Sequence, residues 1–510
     1  MNKILLDHFL PARDPCPPPL RLSPFKSAPA LTTEEIPAAL SKYSANSSPG
    51  PDGIPYLVWK QVNGINKEIL LQLRSPLLSL GYHPASLKGS NGVVLDKPGK
   101  SSYDSASSFR IIVIISTLSK ILEEVIATHL LLAPRMKGLV HPNQCGSLPR
   151  LSTHDACLTL SNDIRTLQRP GLKVSSVFLH IKTGFDNIDN ATLTRILREG
   201  GIPPYLVSCV SSFLGEWSYT LILQGAPGML APVNVSAPQG SPISLLLFLL
   251  YVAPLHLSIP RGLMVAYVDD YAVTVAFLSY RGNIRRLQKL FVKVQDNAAR
   301  LGNSFSVPKT ELIHWRTPSQ RHSWKCYSPI QIKGELFYPC DLVCWLGYSF
   351  TPALDTSAHL SRRLSLTQDA FALIIRLSLP GAGLAPYLCQ RLASFLIAPI
   401  LLYGADLFTP NAGMMSKLNT LWHKVQRWTT NSFSGAPVGI LSLESGLLGV
   451  PLLVTQRQRL AALRTVCSPP SVNPAMEHLH ASFPSLSSYR VPDSSRVLTR
   501  ALMSVYLHLN

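Results

Sequence analysis

The segment Leu263–Phe277 reads LMVAYVDDYAVTVAF and decides the fold. Two runs rich in β-branched and aromatic residues, Leu263–Tyr267 and Tyr271–Phe277, flank the short sequence Val-Asp-Asp. Such residues favour strands, and two strands separated by so few residues form a hairpin. The sequence therefore predicts a β-hairpin that carries Asp269 and Asp270 at its tip.

Two adjacent carboxylates at a tight turn repel one another unless water or a cation offsets their charge. Hard divalent cations such as Mg²⁺ prefer carboxylate oxygens, and a pair of such ions can serve phosphoryl transfer. The alternative interpretation is a solvated turn, where Asp-Asp dipeptides are common. The dipeptide alone does not decide between a metal site and a solvated turn.

The segments on either side of the hairpin alternate between helix and strand patterns. In chain order they predict a Pro-rich extended leader (1–30), a helix start capped by threonine (Thr32–Ile36), a turn (Asn46–Gly53), an apolar helical segment (54–80), a polar loop (Lys97–Asp104), a helix (Leu118–Leu132), a strand (Val174–Ile181), a helix broken at Pro203 (Asn190–Leu214), short strands (Tyr219–Leu223 and Val233–Val235), an amphipathic helix (Arg281–Leu301), a second hairpin around Pro308–Thr310, and basic helices (Leu418–Trp428 and Gln456–Thr465). The middle of the chain is thus predicted to be α+β, with helices on one face of an antiparallel sheet.

The composition indicates a globular chain with a polyanionic partner. Of its 510 residues 46% are hydrophobic, which excludes disorder of the whole chain. Lys and Arg number 47 against 28 Asp and Glu, and the resulting charge of +19 favours nucleic acid or an anionic membrane as partner. The longest apolar run, Ile243–Leu257, is shorter than the roughly 20 residues of a spanning helix. It also contains Pro254 and His256, so we predict a buried helix and no membrane segment.

Neither secretion nor a disulfide framework is predicted. Asp7, His8 and Arg13 interrupt the apolar N-terminal stretch, so we expect no signal peptide and an intracellular location, in nucleus or cytoplasm. The nine cysteines form no CxxC pair, and no His or Cys cluster lies beside Cys340 and Cys344. We therefore predict that all nine are buried thiols rather than disulfide or zinc ligands.

Several segments in a fixed order resemble the reverse transcriptases of non-LTR (LINE-type) retrotransposons. The sequence AYVDD at Ala266–Asp270 resembles the signature hairpin of that family. The other matching segments are SPGPDGI (Ser48–Ile54), LDKPGK (Leu95–Lys100), FRII (Phe109–Ile112), LSKIL (Leu118–Leu122), NQCGS (Asn143–Ser147) with Ser152-Thr153, FLHIKTGFD (Phe178–Asp186), QGSPIS (Gln239–Ser244), KTE (Lys309–Glu311) and WLGYSF (Trp345–Phe350). The resemblance covers residues 30–420, and its specificity lies in the order and spacing of these segments rather than in any one of them.

The resemblance implies a right-hand polymerase fold with fingers, an antiparallel palm with helices on one face, and a helical thumb. The implied division is a Pro-rich leader (1–30), fingers (31–173), palm (174–317), the end of the palm with the thumb (318–420) and a helical C-terminal region (421–510). The implied activity is RNA-directed DNA synthesis from dNTP on an RNA template with a DNA primer. The sequence does not indicate an oligomeric state.

The resemblance also implies roles for individual residues. Asp269 and Asp270 would hold Mg²⁺ or Mn²⁺ in a two-ion site. Gln239 and Gly240 would contact the incoming nucleotide and the template. The remaining roles fall on Phe185 as the gate against a ribose 2′-hydroxyl, on Lys97 and Arg110 as triphosphate contacts, and on Lys309 as a proton donor to pyrophosphate. A solvated surface charge is the alternative for each isolated Lys or Arg.

One departure from the family pattern falls in the metal site. The family pattern FLDIKGAFD has a metal-binding Asp five residues before the aromatic gate, where this chain has His180. A neutral imidazole supplies one nitrogen and no charge, whereas Mg²⁺ prefers oxygen and Mn²⁺ tolerates nitrogen better. Asp186 lies beyond the predicted strand end, and Asp189 is farther still. We therefore predict an incomplete two-ion site and impaired catalysis.

Milder departures are Ile112 in place of a Pro, Cys145 and Ser147 in place of aromatic residues, and Leu245 in place of a second Pro. Two hypotheses remain: a polymerase, and a nucleic-acid binder that keeps the basic cleft without the chemistry. A membrane-associated protein that uses Ile243–Leu257 is a third, poorer interpretation, because it leaves the Asp269-Asp270 hairpin unexplained. No segment indicates an endonuclease or a ribonuclease H.

Overall fold

The computed structural model describes Phe25 and residues 28–466, apart from residues 98, 100–101, 183–187, 234–236, 261, 318–319, 321–325, 378–383 and 408–409. The predicted leader therefore lies almost wholly outside the described residues, as do Phe185 and residues 467–510. The chain divides into two compact units. The first contains residues 1–142, 180–260 and 291–306, and the second contains residues 143–179, 261–290 and 307–510.

The described helices and strands alternate along the chain. The helices are α1 (Glu35–Ser41), α2 (Tyr56–Ile65), α3 (Lys67–Leu80), α4 (Thr117–Lys137), α5 (Thr153–Gln168), α6 (Asn190–Glu199), α7 (Pro204–Leu214), α8 (Ser244–Tyr251), α9 (Ala253–Leu257), α10 (Tyr280–Arg300), α11 (Ser357–Leu377), α12 (Pro386–Leu392), α13 (Ala398–Leu401), α14 (Ala412–Thr430), α15 (Val438–Ser445) and α16 (Val450–Val466). The strands are β1 (Gly89–Asp96), β2 (Phe109–Ile114), β3 (Lys173–Lys182), β4 (Trp217–Leu223), β5 (Ala226–Val233), β6 (Met264–Tyr267), β7 (Asp270–Phe277), β8 (Ser304–Phe305), β9 (Glu311–Trp315), β10 (Ile330–Ile332), β11 (Glu335–Phe337), β12 (Val343–Trp345) and β13 (Tyr348–Phe350).

The first unit contains a four-stranded sheet in the order β2-β1-β4-β5. Strand β1 is antiparallel to β2 and parallel to β4, and β4 is antiparallel to β5. The predicted strand Tyr219–Leu223 is confirmed within β4, whereas the predicted strand Val233–Val235 overlaps β5 only at Val233, and residues 234–235 lie outside the described residues. Strand β4 pairs with β1 and with β5, so the sheet contains a parallel pair that the sequence patterns did not predict.

The central sheet has the order β6-β7-β3-β8, and β9 also pairs with β3. The predicted hairpin is confirmed, because Met264 lies opposite Val273 and Tyr267 lies opposite Asp270. The second predicted hairpin, around Pro308–Thr310, is wrong. Strands β8 and β9 both pair with β3, β8 at its end (Ile181–Lys182) and β9 along Val174–Phe178. A short 3₁₀ turn, Val307–Lys309, separates them along that strand.

Apolar cores hold the described elements in place. In the first unit, helices α1 to α4 share a core that includes Ile36, Tyr56 and Leu70. In the second unit, one core joins α5 to the central strands around Trp315, and another joins the C-terminal helices around Trp422. These cores remove large apolar side chains from water, which is the main favourable term in folding.

Two helix predictions need comment. The first helix begins at Glu35, and Glu34 at its cap position makes no side-chain capping bond. The predicted threonine cap is therefore wrong: the backbone N–H of Thr32 donates to the Glu35 carboxylate over 2.7 Å, so that glutamate satisfies the turn. The helix predicted over Asn190–Leu214 is confirmed as α6 and α7, which are separated at the Pro203-Pro204 break.

The apolar run Ile243–Leu257 forms the two short helices α8 and α9, and its leucines from Leu246 to Leu250 are buried. Among the described residues, no single helix has the length and apolarity to cross a membrane. The pair Val438–Ser445 and Val450–Arg464, bent by 55°, passes that test together on length and composition alone.

The prediction that all cysteines are buried is wrong for three of them. Cys344 is exposed, and Cys326 and Cys340 are half-buried, whereas Cys145, Cys157, Cys209 and Cys389 are buried. The three accessible thiols lie in the segment of short two-stranded sheets or just before it.

Candidate active site

The tip of the β6–β7 hairpin is a strained two-residue turn. Tyr267 and Asp270 face each other as the last pair of the ladder, which leaves Val268 and Asp269 as the loop. Val268 has a φ of 59°, in the left-handed region, and a β-branched residue is rare there because its side chain crowds the backbone. Such a conformation costs about 1–3 kcal/mol and persists only where the surroundings enforce it.

The segment Asn143–Gly146 enforces the turn. The side-chain oxygen of Gln144 accepts hydrogen bonds from the backbone N–H groups of Val268 (3.0 Å) and Gly146 (2.8 Å). The side-chain amide of Gln144 donates to the carbonyl of Val268 over 3.4 Å. A single buried glutamine therefore satisfies both backbone polar groups of the strained residue.

The backbone of the same segment runs beside strand β6. The N–H of Ala266 donates to the carbonyl of Asn143 (3.0 Å), and the N–H of Cys145 donates to the carbonyl of Ala266 (2.8 Å). At Gly146, a Cβ atom would lie 2.5 Å from the nitrogen of Val268, so only glycine fits there. The family resemblance identified this segment as a motif. Nothing in its local sequence indicates that it supports the hairpin, which lies more than a hundred residues later.

His180 lies near the end of β3, the strand next to β7 in the central sheet. Its carbonyl accepts a hydrogen bond from the N–H of Ser306 over 2.9 Å, which fixes the backbone at this position. The side chains of His180, Asp269 and Asp270 are each half-buried, and each offers one ligand atom within 4.8 Å of the other two. The predicted metal-site residues therefore lie together at one end of β3 and β7.

This donor set can hold one divalent cation. Ligand atoms on opposite sides of one Mg²⁺ are about 4.2 Å apart, so the observed 4.8 Å limit requires only a small side-chain movement to close on an ion. The set supplies two carboxylates and one imidazole. An imidazole nitrogen has a single lone pair, so His180 cannot bridge two ions as a carboxylate can.

The charge at the hairpin tip affects its neighbour. Burial, and after it the negative charges of Asp269 and Asp270, raise the pKa of Tyr271 well above its usual value. Tyr271 therefore stays neutral, and the two carboxylates give the tip a negative potential that favours a bound cation.

The predicted nucleotide-binding residues of the first unit gather on strands β1 and β2. Arg110 lies on β2 opposite Leu95 and is exposed, and Lys97 follows the end of β1, where its N–H donates to the carbonyl of Ser108 (2.8 Å). The loop of Gln239 and Gly240 lies against the same strand β2, because the N–H of Val113 donates to the carbonyl of Gln239 over 2.7 Å.

Gly240 is required by this close approach. It has a φ of 140°, and a Cβ atom would lie 2.2 Å from the carbonyl oxygen of Val113. Any other residue would have to displace the strand or the loop. The resemblance implies that Gln239 and Gly240 contact the nucleotide. The structure shows that their backbone also packs tightly against strand β2.

The remaining residues predicted from the resemblance lie outside the described residues or form no hydrogen bond with the metal-site side chains. Phe185 lies outside the described residues, and so does Asp186. Lys309 is exposed at the end of the 3₁₀ turn that precedes β9. Asp189 accepts a hydrogen bond from the N–H of Thr192 (2.7 Å) and caps helix α6, so it has a structural task away from the metal site.

Comparison with known proteins agrees with this geometry. Residues 95–350, half of the chain, match the family described as reverse transcriptase (RNA-dependent DNA polymerase). The chain is 23% identical over 80% of its length to the RNA-directed DNA polymerase from mobile element jockey of Drosophila melanogaster, covering 44% of that protein. It is 24% identical over 80% of its length to the putative 115 kDa protein in the type-1 retrotransposable element R1DM of the same organism, covering 39%.

A third relative, the probable RNA-directed DNA polymerase from transposon BS of Drosophila melanogaster, is 25% identical over half of the chain and is covered over 28% of its own length. The chain thus spans less than half the length of these curated relatives. The family match includes the last two residues of β1, all of β2, the central sheet, the hairpin and the loop at Gln239. The chain belongs to the reverse transcriptase family and is similar within it to the RNA-directed DNA polymerases of non-LTR retrotransposons.

Proposed function

We propose that the chain is the polymerase part of a non-LTR retrotransposon reverse transcriptase, with RNA-directed DNA synthesis from dNTP as its reaction. The observation that carries the proposal is the convergence of Asp269, Asp270 and His180 at the end of two neighbouring strands. The charge of +19 suits an RNA template with a DNA primer as partner, because phosphate contacts dominate the affinity of such complexes.

In this proposal the chain forms a right hand. Residues 31–173 are the fingers, 174–317 the palm, 318–420 the end of the palm with the thumb, and 421–510 a helical C-terminal region. The central sheet with its hairpin supports the assignment of the palm, and the helices from α11 to α14 support a helical thumb.

Each residue then has a defined role. Asp269 and Asp270 bind the divalent ion, Mg²⁺ or Mn²⁺, which supplies Lewis-acid stabilisation of the transferred phosphoryl group when bound. Arg110 and Lys97 hold the triphosphate by charge, and Gln239 and Gly240 fit the loop against the incoming nucleotide. Phe185 excludes a ribose 2′-hydroxyl, and Lys309 donates a proton towards the leaving pyrophosphate.

His180 lowers the rate of this reaction. A two-ion site needs a carboxylate that bridges both ions, and the imidazole supplies neither the bridge nor the negative charge. The site holds one ion well and a second ion poorly. Because Mn²⁺ accepts nitrogen ligands more readily than Mg²⁺ does, the remaining activity is higher with Mn²⁺.

Primer extension tests the proposal. The purified chain and its His180→Asp variant are compared on an RNA template with a DNA primer, with Mg²⁺ and with Mn²⁺. We expect robust extension by the variant, weak extension by the unmodified chain, and a smaller difference between them with Mn²⁺. Equal, robust extension by the unmodified chain with Mg²⁺ would show that His180 does not impair the site, and no extension by either chain would contradict the polymerase assignment.

A further inference from the structure

We propose that Glu123, a buried carboxylate on helix α4, is a positioning residue that holds the nucleotide-contacting loop Gln239–Ser241 in its working conformation. The inference rests on the proposed function, because it assigns that loop to the incoming nucleotide. All the residues concerned belong to the first unit.

Glu123 is fully buried and is bonded at both oxygens. Its Oε2 accepts a hydrogen bond from the hydroxyl of Ser241 over 2.5 Å, and its Oε1 accepts one from the hydroxyl of Ser119 over 2.5 Å. The ring of His83 completes the group, since its Nε2 lies 3.0 Å from the Ser119 hydroxyl and 3.9 Å from Glu123. His83 and Ser119 are also fully buried.

A carboxylate in this place is costly to the fold. Removing a charge from water costs several kcal/mol, and an apolar side chain of similar size at a core position of α4 is usually neutral or stabilising. The neighbours Ile121, Leu122, Val125 and Ile126 on the same helix are all such apolar core residues. We therefore infer that the carboxylate serves a purpose other than stability. Its hydrogen bond from Ser241 indicates that this purpose is to position the loop Gln239–Ser241.

Ser241 transmits the contact to the loop. Its hydroxyl donates to Glu123 and accepts a hydrogen bond from the N–H of Ile243 over 3.3 Å, and its N–H donates to the carbonyl of Pro238 over 3.1 Å. The turn that contains Gln239 and Gly240 is thus closed across Ser241. With its hydroxyl directed by the carboxyl group of Glu123, Ser241 is restrained to one conformation.

The second support of the loop lies on the opposite side. Val113 of β2 binds the carbonyl of Gln239, and Gly240 fits against the Val113 carbonyl with no space for a side chain. The loop is therefore held between a strand and a helix. Each support restrains Gln239, so loss of either is expected to loosen the loop.

Helix α4 is itself fixed by the early turn of the sequence. The hydroxyl of Ser116, just before the helix, donates to Asp52 over 2.6 Å, and that of Thr117 donates to the carbonyl of Ile54 over 2.7 Å. At Gly50 a Cβ atom would lie 2.5 Å from the Cα of Ser116. The motif segments at Ser48–Ile54, Leu118–Leu122 and Gln239–Ser244 therefore form one connected support for the nucleotide loop.

Steady-state extension kinetics test this role in the His180→Asp chain, in which we expect robust extension. We expect Glu123→Ala and Ser241→Ala each to raise the KM for dNTP by about 10- to 100-fold, the factor that corresponds to losing a hydrogen bond to a charged group. The kcat and the affinity for template–primer should change by less than about threefold. Glu123→Gln, which keeps an acceptor oxygen, should recover most of the affinity for dNTP.

Two controls separate positioning from folding. Glu124→Gln alters the adjacent glutamate, which binds Lys42 and Tyr43 rather than the loop, and should leave the KM unchanged. The double variant Glu123→Ala with Ser241→Ala should be no worse than either single variant, because both remove the same contact. Fully additive effects, or a lowered melting temperature at an unchanged KM, would overturn the inference.

Hydrogen exchange keeps the inference testable if no chain extends a primer or if Glu123→Ala does not fold. Peptides that cover residues 239–243 should exchange faster in Glu123→Gln and Ser241→Ala than in the unmodified chain, and Glu124→Gln should leave them unchanged. Unchanged exchange of this loop in both variants would overturn the positioning role, whereas failed extension alone would count against the proposed function.

Discussion

The loop at Gln239 and the metal-site position at His180 differ in how well each suits its proposed role. The loop is held by Val113 on one side and by the buried carboxylate of Glu123 on the other, and its glycine fits a space that admits no side chain. The backbone at His180 is equally well fixed, by strand β3 and by Ser306. The difference is confined to one side chain, where an imidazole stands in place of a carboxylate.

The residues that hold a site in position can therefore be intact while a side chain proposed to bind the metal ion differs. Strand β3 and the backbone hydrogen bond between Ser306 and His180 do not depend on the side chain at position 180, so the fold gives no sign of the change. A substitution at Glu123 or Gln144 would leave every proposed reacting group in place and would disturb the support.

The largest effect is expected at the hairpin carboxylates. In the His180→Asp chain, Asp270→Asn should lower the rate of primer extension on the order of 10²–10³-fold, because it removes a fixed charge that serves the transferred phosphoryl group. Asp296→Asn, on the exposed face of α10, is the matched control and should have no effect. A loss of less than about tenfold in single-turnover measurements would exclude Asp270 from the metal site.

The next effect concerns the support of the hairpin. Gln144→Ala removes three hydrogen bonds, two to Val268 and one to Gly146, and frees a strained turn. We expect about a tenfold lower kcat in the His180→Asp chain and a loss of about 1–3 kcal/mol in the free energy of unfolding. Gln168→Ala, which removes one side-chain bond to a backbone carbonyl elsewhere in the second unit, is the control. An equal kcat in the Gln144→Ala and Gln168→Ala variants would refute the role of Gln144 in supporting the hairpin.

The smallest effect on activity is expected at a buried carboxyl away from both regions, where the change is in stability alone. Burial raises the pKa of Asp163 on helix α5 to about 7. The folded chain therefore holds a proton that the unfolded chain has released, so stability falls as the pH rises from about 4 to about 7. The loss at pH 8 is at most about 4 kcal/mol, at roughly 1.4 kcal/mol for each pKa unit.

Asp163→Asn should remove this dependence. Denaturant unfolding at pH 4.5, 6 and 8 should show the variant gaining stability relative to the unmodified chain as the pH rises. Asp296→Asn, at an exposed position, should show no such trend. A variant that loses stability relative to the unmodified chain on going to pH 8 would contradict the assigned direction.

The hairpin was predictable from sequence because its information is local. The β-branched runs and the short Val-Asp-Asp turn lie within fifteen residues, so strand propensity and turn length suffice. Helices α6 and α10 were predictable for the same reason, since apolar periodicity and the Pro203-Pro204 break are features of one segment. The proposal that His180 stands in place of a carboxylate came from the flanking residues, which keep the register of the family pattern.

The remaining parts depend on contacts between distant residues. Strand β1 reads GSNGVVLD, which has weak strand propensity, and it forms because it pairs with β2 and with β4, more than a hundred residues later. Gln144 forms hydrogen bonds with Val268, and Glu123 accepts one from Ser241. In each pair the two residues are more than a hundred positions apart in the sequence. Residue type alone gives no signal for such pairs.

The most direct test of the central claim is whether His180 binds the metal ion. Electron spin echo spectra of Mn²⁺ bound to the full chain report nitrogen atoms in direct coordination. We expect ¹⁴N modulation from an imidazole in the unmodified chain, and its loss in His180→Asp with Mn²⁺ still bound. Modulation that is absent from the unmodified chain, or that persists unchanged in His180→Asp, would contradict the claim that this histidine stands in place of a metal-binding carboxylate.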